Sequence, residues 1–298
     1  MDNLLTQYLI VGQSGRLGSA IIENLKLEIK PQNVFGISSQ NVVNFLQTEK
    51  TINNSSEYSN IEILWCSGSA RARSDYETCH LDLKKIIMFV NFMKTYLTKS
   101  KCRITYISSG GTVYGSSAGL VNESSPVNPQ TYYAQMKLDS ELQLKKLSFE
   151  TTIQISVLRI ANMYGVPQPE KLNGVVETLI NSALEKNLLN LTANKISRKQ
   201  YGTYVDYAKQ ILVLLSKQSS SDAFLLRNMY SNHIYSISEL MRKVESHFQT
   251  QIRLIDKLEN SSEVIDETVI LSNVEGFVVN DFKWKSMEEF LTSRYPLS

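Results

Sequence analysis

Two residues four apart, Tyr133 and Lys137, carry the most specific chemistry in this 298-residue chain. On a helix, positions i and i+4 share a face, so a phenol and an ammonium can point into one site. A cation beside a phenol favours the phenolate. It turns a group of ordinary pKa about 10 into an acid/base usable near neutral pH. Such a pair also arises by chance on helix surfaces, so its surroundings decide. Just upstream, Ile107-Ser108-Ser109-Gly110-Gly111-Thr112-Val113-Tyr114-Gly115 reads as a hydroxyl-rich turn leaving a strand. Those hydroxyls can polarise a carbonyl while Tyr133 handles its proton.

A second constellation lies near the start, at Val11-Gly12-Gln13-Ser14-Gly15-Arg16-Leu17-Gly18. Glycines at 12, 15 and 18 permit a tight turn, bring backbone N–H groups against a pyrophosphate, and let a helix pack close to a strand. The helix N-terminus adds a partial positive charge for the phosphates. A bare glycine trio is also an ordinary strand–helix turn; its position after the first apolar run points to a dinucleotide. An acid at the end of the second strand would bind the ribose 2′-OH of NAD. Here that strand ends Gly36-Ile37-Ser38-Ser39-Gln40, without one. Arg16 either pairs with a 2′-phosphate, with Ser38 or Ser39 as a further donor, or is a solvated surface arginine. The expected cofactor is therefore NAD(P), with NADP favoured.

These residues need elements to hold them. Tyr8–Val11, Val34–Ser38, Ile61–Cys66, Arg103–Ile107 and Ile153–Ile160 read as strands. Helix-period segments fall at about Leu17–Leu27, Tyr76–Leu97 and Thr131–Leu147. Strands alternating with helices predict an α/β fold, a doubly wound parallel sheet covered on both faces. Farther on, Val175–Leu189 and Ile237–Phe248 read as helices, the latter capped by Ser236 or Ser238, and Ala223–Leu226 as a short strand. Asn53–Ser56, Ser219–Asp222 and Asn260–Glu263 are polar punctuation. The expected division is a dinucleotide-binding domain over 1–165, rejoined by about 204–235, and a smaller lobe over 166–298.

Composition narrows the function. With 31 Lys and Arg against 29 Asp and Glu, the net charge of +2 and the absence of a basic run argue against nucleic acid. No apolar run approaches the roughly 18 residues of a membrane span. The N-terminus lacks a basic region and cleavage site, so no signal peptide is expected. Three cysteines, Cys66, Cys79 and Cys102, lack metal-ligand spacing and read as reduced thiols of a cytoplasmic protein, with Cys66 and Cys102 packed as small apolar groups. No metal is expected.

Taken in order, these motifs resemble the extended short-chain dehydrogenase/reductase family, the NAD-dependent epimerase/dehydratase group acting on nucleotide sugars. The resemblance runs from about Tyr8 to Phe290. Besides the glycine loop, SSGGTVYG at Ser108–Gly115 and Y-x-x-x-K at Tyr133–Lys137, it includes LRIANMYG at Leu158–Gly165, ISEL at Ile237–Leu240 and FKWKSMEEFL at Phe282–Leu291. It implies a Rossmann-like fold with a C-terminal substrate lobe. It implies Tyr133 as acid/base, Lys137 on the nicotinamide ribose, the glycine loop on pyrophosphate, and Ser67 and Gly68 lining the cofactor. Asn162 falls where relatives bind the substrate diphosphate. A homodimer through two helices per subunit is also implied, and a place in polysaccharide biosynthesis by analogy.

The departures matter. The family's catalytic Ser/Thr falls on Gly110. In an extended chain Ser108 and Thr112 would share its face and Ser109 would point away. The chain turns there, which keeps Ser109 open, so Thr112 or Ser109 is the expected substitute. The family's R-D-Y-x-x-V-x-D has become Lys199-Gln200-Tyr201-Gly202-Thr203-Tyr204-Val205-Asp206. Lys199 or Arg198 then pairs with the substrate phosphate, or both sit in a solvated basic loop. The family's Asn is replaced near His80, and Gly111-Thr112 replaces the Asp-Glu of dehydratases. The expected activity is a 4-ketoreductase of a nucleotide-diphosphate sugar. A 4-epimerase with tightly bound NAD, or a binding protein that has lost turnover, are the alternatives.

Overall fold

The computed structural model describes residues 5–28, 33–48, 58–96, 101–116, 119–165, 174–191, 194–217, 222–256, 268–272 and 282–296. The polar stretches at 53–56, 219–221 and 260–263 lie outside them. The described chain divides into two compact units.

Unit 1 draws on Met1–Gly115, Pro126–Ile160 and Ala208–Asn228. Its elements begin β1 (Leu5–Val11), α1 (Arg16–Glu28), β2 (Val34–Ile37), α2 (Val42–Thr48), β3 (Tyr58–Trp65) and α3 (Tyr76–Tyr96). They continue with β4 (Lys101–Ser109), the single turn α4 (Gly110–Val113), α5 (Tyr132–Glu150) and β6 (Gln154–Ile160). A helix α7 (Tyr204–Lys217) and strand β10 (Phe224–Met229) complete it. The sheet order is β10-β6-β4-β3-β1-β2, and β1 pairs in parallel with β2 and β3, as do β3 with β4 and β4 with β6. Strands buried on both faces must read as continuous apolar runs. Accordingly Leu9, Ile10 and Val11 are all buried, as are Ile63, Leu64 and Trp65. Each such side chain contributes roughly 1.5–3 kcal/mol on leaving water. Because β1 lies between β2 and β3, the strand order reverses there. Crossovers depart to opposite faces and leave a crevice at the carboxyl ends of those strands. This is the expected doubly wound, Rossmann-like sheet.

Unit 2 draws on Ser116–Ser125, Ala161–Tyr207 and Met229–Ser298. It contains β5 (Gly119–Val121), β7 (Asn162–Tyr164), α6 (Val175–Glu185), β8 (Leu189–Leu191), β9 (Arg198–Thr203), β11 (Ile234–Ser236), α8 (Ile237–Phe248), β12 (Leu254–Asp256), β13 (Thr268–Ile270) and α9 (Met287–Arg294). The sheets are β11-β9-β7, β12-β8 and β13-β5. Its core joins Leu179 and Ile180 of α6, Leu240 and Val244 of α8, and Met287 and Leu291 of α9.

Several boundaries differ from those expected of the sequence. The helix expected over Val175–Leu189 ends at Glu185, because Lys186 turns left-handed at φ 54° and Leu189 begins a strand. Thr131 caps α5 rather than joining it, and α5 continues to Glu150. Residues 116–125 belong with unit 2 because β5 pairs with β13, and residues 161–165 because β7 pairs with β9. Residues 204–207 and 229–235 also fall in unit 2. Of the thiols, Cys102 and Cys79 are buried, and Cys66 is half-buried.

Candidate active site

The glycine bend follows directly from β1. Gly12 sits at φ +96°, where a side chain would be strained, and a Cβ there would lie 2.8 Å from the Ser67 backbone. A Cβ on Gly18 would lie 2.2 Å from the Gly12 carbonyl oxygen, so α1 presses against the bend only because that side chain is missing. The Gly12 N–H donates to Ile37 O at 2.7 Å, joining the bend to β2. Gln13, Ser14 and Gly15 form an exposed crest. The first turn of α1 holds no acid to repel an anion. Tight glycine packing below, an exposed crest above and an acid-free helix start suit a dinucleotide pyrophosphate. Arg16 is half-buried at the first position of α1, whereas the Leu17 side chain turns into the core, leaving only its backbone at the bend.

A pocket opens beside the ends of β3 and β4, and Tyr133, Lys137, Ser67 and Gly68 all line it. The turn after β2 contributes Ser39 to the lining; Ser38, also expected at the cofactor, is exposed outside it. Thr131 Oγ1 accepts the Ala134 N–H at 3.1 Å and starts α5 so that Tyr133 and Lys137 share the pocket face. Tyr133 is half-buried and Lys137 buried. The Lys137 ammonium donates to Ile107 O at 3.0 Å, 4.9 Å from the Tyr106 ring centre and 5.7 Å from that of Tyr133. Burial works against its charge, but the Tyr106 and Tyr133 hydroxyls outweigh burial and hold the Lys137 pKa above its ordinary value. A charged lysine between two phenols is thus the electrostatic centre of the site. Burial pushes the Cys66 thiol up to about 12, against the pull of Lys137, so it is no nucleophile at neutral pH.

The sequence reading missed the rest of the wall, including Trp65, Asp82, Lys85 and Met136. Asp82 accepts the Ser69 and Ala70 N–H groups at 2.6 and 2.8 Å, the Ser69 hydroxyl at 3.0 Å and the Lys85 ammonium at 2.9 Å. Burial alone would raise its carboxyl, but these donors outweigh it and hold the pKa below the usual carboxylate value. Arg71 Nη1 in turn donates to the carbonyls of Gly68, Ser69 and Ala70. The i, i+3, i+4 spacing of Asp82, Lys85 and Ile86 was the available signal for a shared helix face. His80, near which the family's Asn is expected to be replaced, is exposed and stacks on Tyr76 with ring centres 5.5 Å apart.

The hydroxyl turn lies outside the pocket lining. The chain leaves β4 at Ser109 and winds once through α4, and α4 packs on α5. This turn breaks the alternation expected of an extended chain. Ser108 is buried against Glu141, while the Thr112 hydroxyl donates to Ser109 Oγ at 2.9 Å. The two candidate substitutes for the missing serine are therefore a bonded pair. Asn162, Arg198 and Lys199 lie in unit 2, on β7 and β9. Asn162 Nδ2 donates to Gln200 O at 3.1 Å, and Arg198 pairs with Glu239 at 3.2 Å.

A doubly wound α/β sheet, with a glycine bend after its first strand and a Tyr–Lys pair beside its switch point, defines a Rossmann-like protein. The model of the NAD dependent epimerase/dehydratase family matches residues 8–237, and the chain belongs to that family. It is 25% identical over 164 residues to the dTDP-4-dehydro-6-deoxyglucose reductase of Escherichia coli, covering 55% of this chain and 51% of that protein. It is 30% identical over 116 residues to a putative UDP-glucose 4-epimerase of Methanocaldococcus jannaschii, 38% of each. The chain thus matches about half the length, or less, of these relatives. MoeE5, solved with UDP-glucose and NAD, superposes with TM-score 0.75 over 96% of both chains at 15% identity. The UDP-glucose 4-epimerase of Thermotoga maritima, solved with UDP-glucose, superposes with TM-score 0.71 over 89% of both at 15% identity. At such identities these structures speak for the fold.

Proposed function

We propose that this protein is a nicotinamide-dependent reductase of the C4 ketone of a nucleotide-diphosphate sugar. The observation that carries it is the opening of Tyr133 and Lys137 into one pocket with Ser67 and Gly68, beside the glycine bend. The cofactor, when bound, supplies the hydride. Tyr133 Oη gives its proton to the carbonyl oxygen. Lys137, held by Ile107 O, keeps a positive charge beside that phenol and reaches the nicotinamide ribose. The Thr112–Ser109 hydroxyl pair, outside the pocket lining but on the turn that packs against the helix of Tyr133, is the donor we assign to the carbonyl oxygen in place of the serine missing at Gly110. Asn162 and Lys199 or Arg198 hold the diphosphate. The bend at Gly12–Gly18 seats the pyrophosphate, and the acid-free end of β2 together with Arg16 favours NADP over NAD.

The match to a reductase supports this reading; the match to an epimerase supports the second, a 4-epimerase with retained NAD. Mixing the purified protein with NADPH or NADH and a panel of nucleotide-linked 4-keto sugars, while following nicotinamide absorbance, separates them. Net coenzyme consumption supports the reductase. NAD that survives purification, with interconversion of the 4-epimers of the matching 4-hydroxy nucleotide sugars and no net consumption, supports the epimerase. Tyr133→Phe lowers turnover by roughly 10²–10⁴-fold under either; unchanged turnover removes both.

The assembly we propose is a homodimer of a cytoplasmic enzyme. α3 and α5 pack together and leave Leu81, Met88, Leu142 and Phe149 more than half exposed.

A further inference from the structure

Glu141 is not part of the lining of the Tyr133 pocket, yet it is nearly sealed from solvent beside an arginine. Glu141 and Arg159 are each 4% exposed. Arg159 Nη2 donates to one carboxylate oxygen at 2.7 Å, and its Nε to both at 3.1 and 3.2 Å. The Ser108 hydroxyl donates to the same carboxylate. Ser108 stands opposite Arg159 in the parallel register of β4 and β6. The guanidinium carbon Cζ lies 4.9 Å from the Tyr114 ring centre, and the Tyr114 hydroxyl donates to Asn228 Oδ1 at 2.8 Å.

The placement of this cluster is informative. Glu141 is one helical turn beyond Lys137 and two beyond Tyr133, on the same face of α5. Ser108 immediately precedes Ser109, and Tyr114 closes α4. The cluster therefore grips the turn bearing Ser109 and Thr112 at both ends and ties it to the helix bearing the phenol. A buried ion pair is a poor way to gain stability, since desolvation cancels most of the attraction and apolar residues of similar size often serve as well. What it provides that an apolar pair does not is direction, because a bidentate arginine–carboxylate contact fixes distance and angle.

We propose that Glu141, Arg159 and Ser108 form a positioning unit that sets the register between the Tyr133 phenol and the Ser109–Thr112 hydroxyls. Its kinetic consequence rests on the reductase reading above; its structural consequence does not. The test compares Glu141→Leu/Arg159→Met and Ser108→Ala with the wild type by melting temperature, amide hydrogen exchange and steady-state kinetics. The apolar pair melts within a few degrees of the wild type. Exchange across residues 107–115 accelerates by roughly tenfold while that of β1 and α1 is unchanged. Turnover falls by about 10- to 100-fold, as a misplacement near 1 Å commands, with the coenzyme KM unchanged. A folded apolar-pair variant with wild-type exchange and wild-type kcat overturns the proposal. Should the pair variant fail to fold, Ser108→Ala decides, and wild-type exchange in 107–115 overturns the proposal just as firmly. If the wild type reduces no sugar in the panel, the reductase reading falls. The exchange data then stand alone: acceleration upholds the positioning unit and its absence overturns it.

Discussion

Glu62 shows what one buried charge does to this fold. It faces Arg103 across the β3–β4 register and pairs with it, while its second oxygen, Oε2, has no hydrogen-bond partner among the described residues. Burial pushes the carboxyl up to about 7, although Arg103 pulls the other way. In the unfolded chain the group has its ordinary value near 4.5. Between those limits the folded protein keeps a proton that the unfolded chain has lost, so stability falls as pH rises through the window. Glu62→Gln removes that slope. Denaturant unfolding from pH 4 to 8 will show the wild type losing about 3 kcal/mol relative to the variant, at 1.36 kcal/mol per pKa unit; parallel curves would contradict it. Glu62, like Glu141, was not legible in the sequence, because its partners stand far away along the chain. Tyr133, Lys137 and Gly12–Gly18 could be singled out in the sequence because spacing within one turn or bend marks them, and the structure brings Tyr133 and Lys137 to one pocket.

Among the elements, those that carry their own local signals could be read in advance. Ser236 accepts the Glu239 N–H while Glu239 accepts the Ser236 N–H, a reciprocal cap that is visible as S-x-x-E before an apolar run. Ser236→Ala should cost about 1 kcal/mol in chemical denaturation. A wild-type midpoint would show the cap to be idle. The long helices and the parallel strands of unit 1 were legible through their periodicity and apolar runs. The three-residue strands were not, since β5 includes Leu120 at 70% exposure and owes its form to pairing with β13. The seven-residue α2 and the single turn α4 are likewise too short for a periodic signature.

For the molecule as a whole, an apolar surface left in water needs a cover or a reason. Leu81 and Met88 on α3 are seven apart, as are Leu142 and Phe149 on α5, so each helix repeats its exposed apolar residue once per heptad. The Tyr76 and Tyr132 rings meet edge to face at 5.7 Å where the two helices begin. In the proposed homodimer this face meets its copy. Light scattering during gel filtration should return twice the mass of one chain, and Met88→Lys/Phe149→Lys should return a single chain with its fold intact. A monomeric wild type would remove the dimer. The loop at Ser67–Arg71 bears differently on any partner of the pocket. Asp82 takes the Ser69 and Ala70 amides, and Arg71 takes the carbonyls of Gly68, Ser69 and Ala70, so an arriving guest meets that stretch as a mould already set. Selection along that wall is by contour more than by hydrogen bonding, and little disorder is surrendered there when the guest docks.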